Sequence, residues 1–269
     1  METLGRVRAA RFYSYASAPL WIEATWKAKD GTLYAWYHRE IFLNCEERSL
    51  SMPVIGALRS FNDGLTFEDF GTVLSPGVEP SCEYRNGYFG GGHGDFSVVA
   101  DRQGEYLYFF YSNYSGNAGD QGVAVARMSV EERNAPQGAV WKYFSGKWEE
   151  AGVGGVETPV FAAQVSWAEE GTDAFWGPGV HWNTYLGRYV MLLNRACCEP
   201  GWPQEGIYIS YALDLAQPES WSVPQKIFEK GGWYPSALGL EEGGTDKEAG
   251  QRARFFMGSD SNWMLVFQK

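Results

Sequence analysis

A five-bladed all-β propeller, with blades of about four antiparallel strands, is the fold class predicted by three observations. Short runs rich in β-branched and aromatic residues are bounded by Gly, Asp, Asn or Ser, which is how strands and their turns are written in sequence. These runs come in groups of three, and the group recurs along the chain. Its most regular copy is Gly94–Asp101, Tyr106–Ser112 and Gly122–Met128. The others are Trp21–Trp26, Leu33–His38 and Val54–Ser60; Trp176–Trp182, Arg188–Asn194 and Gly206–Tyr211; and Trp233–Leu238, Arg252–Met257 and Asn262–Phe267. Third, the last copy is one strand short while the segment Val7–Tyr15 has no partner of its own, as expected of a ring of sheets closed by its amino-terminal strand.

In chain order, residues 20–75 make the first blade, with an outer strand from Phe67 to Leu74. A long connection, 76–93, ends in a glycine-rich stretch and leads into the second blade at about 94–148, whose outer strand is Val140–Phe144. From Glu149 to Thr172 the repeat is hard to follow. Thr158–Phe161 and Gln164–Trp167 read as two strands of a reduced blade, counted here as the fifth, or as a long insertion. Residues 173–230 form a full blade edged by Trp221–Phe228, where Pro224 is tolerable because an edge strand has spare N–H positions. Residues 231–269 form the last blade, interrupted by the polar insertion Glu241–Gly250. The whole chain, 1–269, reads as a single domain.

A hydrophobic fraction of 45% with 20% charged residues can bury a substantial core. No stretch approaches the roughly 18 apolar residues of a membrane span. The formal charge of −11 argues against nucleic acid or an anionic bilayer as partner, because phosphate binding needs clustered Lys and Arg. A neutral ligand fits better. Met1–Ala10 lacks the apolar core of a secretory leader, which leaves a cytoplasmic protein or a chain whose leader is gone. Of the four cysteines, Cys45 and Cys82 lie in loop-like segments and can pair in an exported chain. Cys197 and Cys198 are adjacent, so they read as thiols or as a loop constraint, and no spacing resembles a zinc site. The 12 Trp fill the wedges between twisted sheets, line a sugar-binding pocket, or do both.

Ser60-Phe61-Asn62-Asp63-Gly64-Leu65-Thr66-Phe67 resembles the Asp-box turn of sialidases and related propellers, with Asn62 at the Asp position and Phe67 at the Trp position. That resemblance implies a structural turn remote from any active site. Neither Gly-Gly-Gly-His before Asp95 nor any other glycine run has nucleotide-loop spacing, and no Gly-x-Ser-x-Gly is present for serine hydrolysis.

Acidic residues stand near the starts of inner strands: Glu23 in the first blade, Asp95 in the second, Glu157 before the doubtful one. A glycosidase requires two carboxyl groups across the scissile bond, one protonated and one ionised. With this pattern the chain resembles the five-bladed glycoside hydrolases of the arabinanase and β-xylosidase type, family 43 and its relatives. The resemblance implies an oligosaccharide or glycoside substrate, Glu23 as base (Glu where the family has Asp), Asp95 as the acid that tunes pKa, and Glu157 as proton donor. It implies no cofactor beyond a structural ion or water near His181 in the central channel. His93 and His181, with Trp21, Trp176 and Trp233 at the inner strands, are the expected sugar contacts. Each has a structural reading beside it: Asp95 accepting backbone bonds in a turn, Glu23 pointing to solvent between Ile22 and Ala24, and His181 as a buried, satisfied side chain. A non-catalytic sugar-binding propeller and a protein-binding scaffold are the competing functions.

Overall fold

The computed structural model describes residues 20–46 and 49–269. Four sheets follow one another along the chain. The first holds β1 (Leu20–Lys27), β2 (Leu33–Phe42), β3 (Ser51–Ser60) and β4 (Glu68–Leu74) in sequence order. The second runs β5 (His93–Ala100), β6 (Tyr106–Asn113), β7 (Gly122–Ser129), β8 (Val140–Phe144) and β9 (Lys147–Ala151), with the two-residue β10 (Phe161–Ala162) added to β7. The third is β11 (Ala174–Asn183), β12 (Arg188–Ala196), β13 (Gln204–Ala212) and β14 (Gln225–Glu229). The fourth comprises β15 (Pro235–Gly239), β17 (Arg252–Met257) and β18 (Asp260–Val266), while the intervening β16 (Glu248–Ala249) crosses over to pair in parallel with β11. The first strands face one another: β5 packs against β1 and β11, and β11 against β15. This is a β-propeller arrangement, with no helix beyond two short 3-10 turns among the described residues.

The count of five blades is corrected to four sheets among the described residues. Residues 149–172 do not build a blade of their own. Lys147–Ala151 closes a hairpin onto β8, and Phe161–Ala162 pairs with Gly122–Val123 at the start of β7. The second sheet absorbs them because β8 leaves that end of β7 unpaired, its own pairing covering only Ala126 to Met128. The expected closure by Val7–Tyr15 falls outside the described residues.

Why the middle strands are continuously apolar follows from the radial packing. On β6, Phe109 and Tyr111 face a cluster shared with Trp36 and Ile55 of the first sheet, whereas Tyr108 and Phe110 face one shared with Met191 and Leu193 of the third. On β12 the alternate residues Val190 and Leu192 turn to Phe255 and Ala253 of the fourth sheet. Both faces of these strands are buried, so period-two alternation of polarity vanishes while the side-chain alternation persists. A fourth cluster joins the aromatic residues Phe89, Tyr114, Trp167, Trp176 and Trp202 with Ala163, Ala174 and Ala196. Cys45 is bonded to Cys82, and Cys197 to Cys198.

The turn after β3 is built as the Asp-box resemblance implies. Asn62 Oδ1 accepts the Thr66 amide at 2.9 Å, and Ser60 Oγ accepts the Gly64 amide at 2.9 Å. Asp63 and Gly64 both have positive φ, 54° and 82°. Gly64→Val places a β-branched residue in the left-handed region, which costs about 1–3 kcal/mol. Thermal melting should therefore drop by several degrees, and an unchanged melting temperature would show that the turn does not depend on this conformation.

Candidate functional site

A cavity of about 630 Å³ opens where the first strands of all four sheets meet, and it takes lining residues from β1, β2, β5, β11 and β15. Its volume is in the usual range for small-molecule sites. Three of these strands carry a one-residue bulge in the lining stretch. On β1 the register passes from Ile22 opposite Tyr37 to Ala24 opposite Trp36, leaving Glu23 as the extra residue. On β5, Gly94 opposes Ser112 and Ser97 opposes Phe110, so Asp95 and Phe96 span the bulge. On β11 the irregularity lies between Trp176 and Gly179. A bulge re-aims a side chain, and here it turns Glu23 and Asp95 into one cavity.

The two acids meet at His38. Its Nδ1 lies 3.1 Å from Glu23 Oε1 and accepts the Asp95 backbone N–H at 3.3 Å, while Glu23 Oε2 accepts the Phe96 amide at 2.9 Å. On the far side of the ring, Nε2 faces Glu40 Oε1 at 3.8 Å, and Glu40 in turn accepts the Ser51 hydroxyl. Tyr114 donates its hydroxyl to Asp95 Oδ2, and Tyr234 lines the cavity beside the same residue. Burial, and then the Asp95 charge, push both phenols well above their ordinary pKa, so they stay protonated. Asp95 itself has φ 44°, a left-handed conformation at which a residue other than glycine is uncommon.

Protonation at this junction follows from burial and charge. Desolvation raises the Glu23 pKa, with the neighbouring Asp95 adding to it against the hydrogen bonds from His38 and Phe96. For His38 desolvation acts downward, yet the bond to Glu23 and the charges of Asp95, Glu23 and Glu40 outweigh it and its pKa is raised. Both shifts run in the direction of holding a proton between Nδ1 and Oε1.

Of the residues singled out from sequence, Glu23, Asp95, His181 and Trp21 line this cavity, and Glu157, His93, Trp176 and Trp233 do not. Glu157 is buried elsewhere, with Oε1 2.9 Å from His93 Nε2 and Oε2 2.8 Å from Lys142 Nζ. Desolvation would raise its pKa, but His93 and Lys142 hold it below the ordinary value. An ion-paired carboxylate without access to the cavity has no substrate to protonate. Trp176 belongs to the aromatic cluster, packed on Trp202, Trp233 and Tyr234, and Trp233 lies partly exposed against it. His38, Glu40, Tyr114 and Tyr234 were not singled out in the sequence. Only the pairing of Trp21 with His38 across β1 and β2 would have pointed to the histidine.

Burial lowers both His93 and His181 to about 4, Lys247 contributing at His181 and Lys142 at His93. The unfolded chain protonates these rings near 6.5, the folded chain only near 4. Stability should therefore be lost as pH falls from about 6.5 to 4, by at most roughly 3 kcal/mol per histidine. Urea midpoints at pH 7 and pH 4.5 would show it, and equal midpoints would refute it.

His181 Nε2 is buried and without a hydrogen-bond partner among the described residues. No group of three or more ligand side chains among the described residues includes it, and Lys247 repels positive charge there. Glu23, His38 and Asp95 offer a three-atom donor set with all atoms within 4.8 Å of one another, but the proton held by Glu23 and His38 competes with any metal. The other such cluster, Asp173 with Cys197 and Cys198, has its sulfurs tied in a disulfide.

No protein-family model matches the chain, and no curated protein matches it in sequence. Among solved structures, the α-L-arabinanase of Penicillium chrysogenum, determined with arabinobiose, is similar over 90% of this chain and 58% of that one, at 14% identity and a TM-score of 0.51. The family 43 glycoside hydrolase YxiA of Bacillus licheniformis is similar over 92% of this chain and 59% of that one, at 12% identity and a TM-score of 0.51. The chain thus spans somewhat under three fifths of the length of both. At this identity the likeness is one of fold, and the fold is that of the propeller glycoside hydrolases which the sequence resembles.

Proposed function

We propose that the protein is a glycoside hydrolase acting on a neutral oligosaccharide, with Glu23 and Asp95 as its pair of carboxyl groups. The observation that carries this reading is the convergence of the two acids, from bulges on two adjacent sheets, into a cavity that also keeps a proton on the Glu23–His38 pair. A carboxyl group that shares a proton with His38, beside a second carboxylate held by the Tyr114 hydroxyl, is the asymmetry that glycoside hydrolysis uses. Glu23 is the proton donor in this scheme, a role the sequence resemblance had given to Glu157. The fold likeness to an arabinanase solved with arabinobiose makes arabinose-containing oligosaccharides the first substrates to try.

The test is turnover of arabino-oligosaccharides and a panel of 4-nitrophenyl glycosides. Release of sugar that disappears in Glu23→Gln supports the proposal. Saturable sugar binding without hydrolysis would instead make the protein a lectin-like propeller. Trp21 stands half-exposed at the cavity, edge-on to His38 with ring centroids 5.5 Å apart. If it stacks on a sugar, Trp21→Ala should raise KM about 3- to 10-fold with kcat little changed, the worth of one aromatic contact. A fall in kcat alone would contradict a binding role.

A further inference from the structure

We infer that Asp246 and Lys247 form a subsite of the central cavity that reads two neighbouring hydroxyl groups of a neutral sugar; this rests on the sugar-binding part of the reading above and on neither catalytic role. The first support is how the pair is held. Both residues line the cavity, and both come from the polar insertion between β15 and β17. That insertion crosses to the third sheet: Trp182 donates its amide to Lys247 O at 2.9 Å, Thr184 its amide to Ala249 O at 2.8 Å, and Asn183 its side-chain amide to Gly250 O at 2.8 Å. Thr245 Oγ1 accepts the amides of Lys247 and Glu248, and the Glu241 carboxylate accepts those of Gly250 and Arg252. A segment tied at so many points presents its side chains before a ligand arrives, which lowers the ordering cost of binding.

The second support is the chemistry of the pair. Lys247 Nζ lies 3.2 Å from Asp246 Oδ2, with the lysine side chain 26% exposed and the aspartate 64%. This contact uses only part of the donor capacity of an ammonium and of the acceptor capacity of a carboxylate. A hydroxyl group both donates and accepts. Set against a donor and an acceptor side by side, one of two neighbouring sugar hydroxyls gives its hydrogen to the carboxylate while the other takes one from the ammonium, and both bonds are charge-assisted. An anionic ligand is not served in this way. Asp246 offsets the Lys247 charge, and the cavity lining holds three more carboxyl groups, Glu23, Glu40 and Asp95, with no further lysine or arginine among the described residues.

The third support is where the pair sits. The charges acting on His181 are those of Lys247 and Asp246, whereas those acting on Glu23 are His38 and Asp95. The subsite thus occupies the His181 side of the cavity, and the two acids occupy the His38 side. His181 brings no charge of its own, since burial lowers its pKa to about 4 and the ring is neutral at neutral pH. The same cavity is lined by Trp21, Phe89, Val180 and Tyr234, apolar area on which the ring face of a sugar can lie. A ligand lying across the cavity presents hydroxyl groups to the insertion at one end and a glycosidic bond to the acids at the other.

The experiment measures binding by isothermal titration calorimetry, with arabinobiose and the methyl glycosides of neutral sugars as probes and Glu23→Gln as the background protein, so that no ligand is consumed. The probe that binds most tightly is compared with its monodeoxy analogues. Loss of either hydroxyl of the recognised pair should raise Kd about 10- to 100-fold, the worth of a hydrogen bond to a charged group. Lys247→Met, which keeps the aliphatic stem and loses the ammonium, and Asp246→Asn should each weaken the parent sugar by a similar factor in that background. The analogue that lacks the matching hydroxyl should then bind the variant as well as the parent sugar does, because its partner is already gone. Equal deoxy penalties in variant and background proteins would overturn the subsite, as would tighter binding of methyl glucuronoside than of methyl glucoside. Binding of no probe would overturn it too, even where aryl glycosides are cleaved. Binding with the expected hydroxyl dependence, in a protein whose wild type hydrolyses no glycoside, would leave the subsite standing and remove the glycosidase reading.

Discussion

Asp95→Asn should lower kcat of glycoside hydrolysis by at least about a hundredfold while the protein stays folded. The range for loss of a group that takes part in bond making or proton transfer is about 10²–10⁴. Asparagine matches the size of the side chain, tolerates the left-handed conformation that Asp95 adopts at φ 44°, and still offers an oxygen to the Tyr114 hydroxyl. What it removes is the charge beside Glu23 and His38, so their proton also becomes easier to lose. Kinetics on the best substrate, with circular dichroism melting of the same preparation, provide the check. Full activity in the variant would remove Asp95 from the mechanism.

The second large effect is expected in stability. Glu157→Ala should cost about 3–5 kcal/mol, because it strips the counter-charge from a buried ammonium. Lys142 Nζ is fully enclosed, donating to Ser75 O at 3.0 Å and Gly155 O at 2.5 Å, with Glu157 as its ionised neighbour. Those carbonyls lie in the segments leading out of the first and second sheets, so the lysine ties the two together. For a chain of this size the melting temperature should fall by roughly 10 °C. Below that transition kcat should remain near wild type, since Glu157 does not line the cavity. A stable but inactive Glu157→Ala protein would restore Glu157 as the proton donor.

Much of the fold was legible because strands announce themselves locally. All twelve strands of the repeated meanders are present, and the uninterrupted apolar runs at Tyr106–Ser112 and Arg188–Asn194 are those buried on both faces. Which strand accepts a short extra segment depends on a free edge far along the chain, so Phe161–Ala162 could not be assigned to β7 from its own residues. Site residues divide in the same way. Asp95 stood out through its position after the glycine-rich loop, but Glu23, flanked by Ile22 and Ala24, reads as solvent-facing until the bulge changes the register. His38, Tyr114 and Tyr234 lie in three different sheets or their leads, and only folding brings them to the two acids.

Gly94 lies directly before Asp95, and its backbone runs so close to the His38 ring that an added Cβ would stand 2.6 Å from Cε1 and 3.0 Å from Nδ1. The same methyl would meet Pro53 Cβ at 3.0 Å, so it would be caught between the imidazole and the proline ring. In a saturation mutational scan scored by growth or turnover, position 94 would therefore register as intolerant as an acid–base residue, although it contributes no functional group. A reader of such a map would credit it with chemistry, when its part is to leave a space.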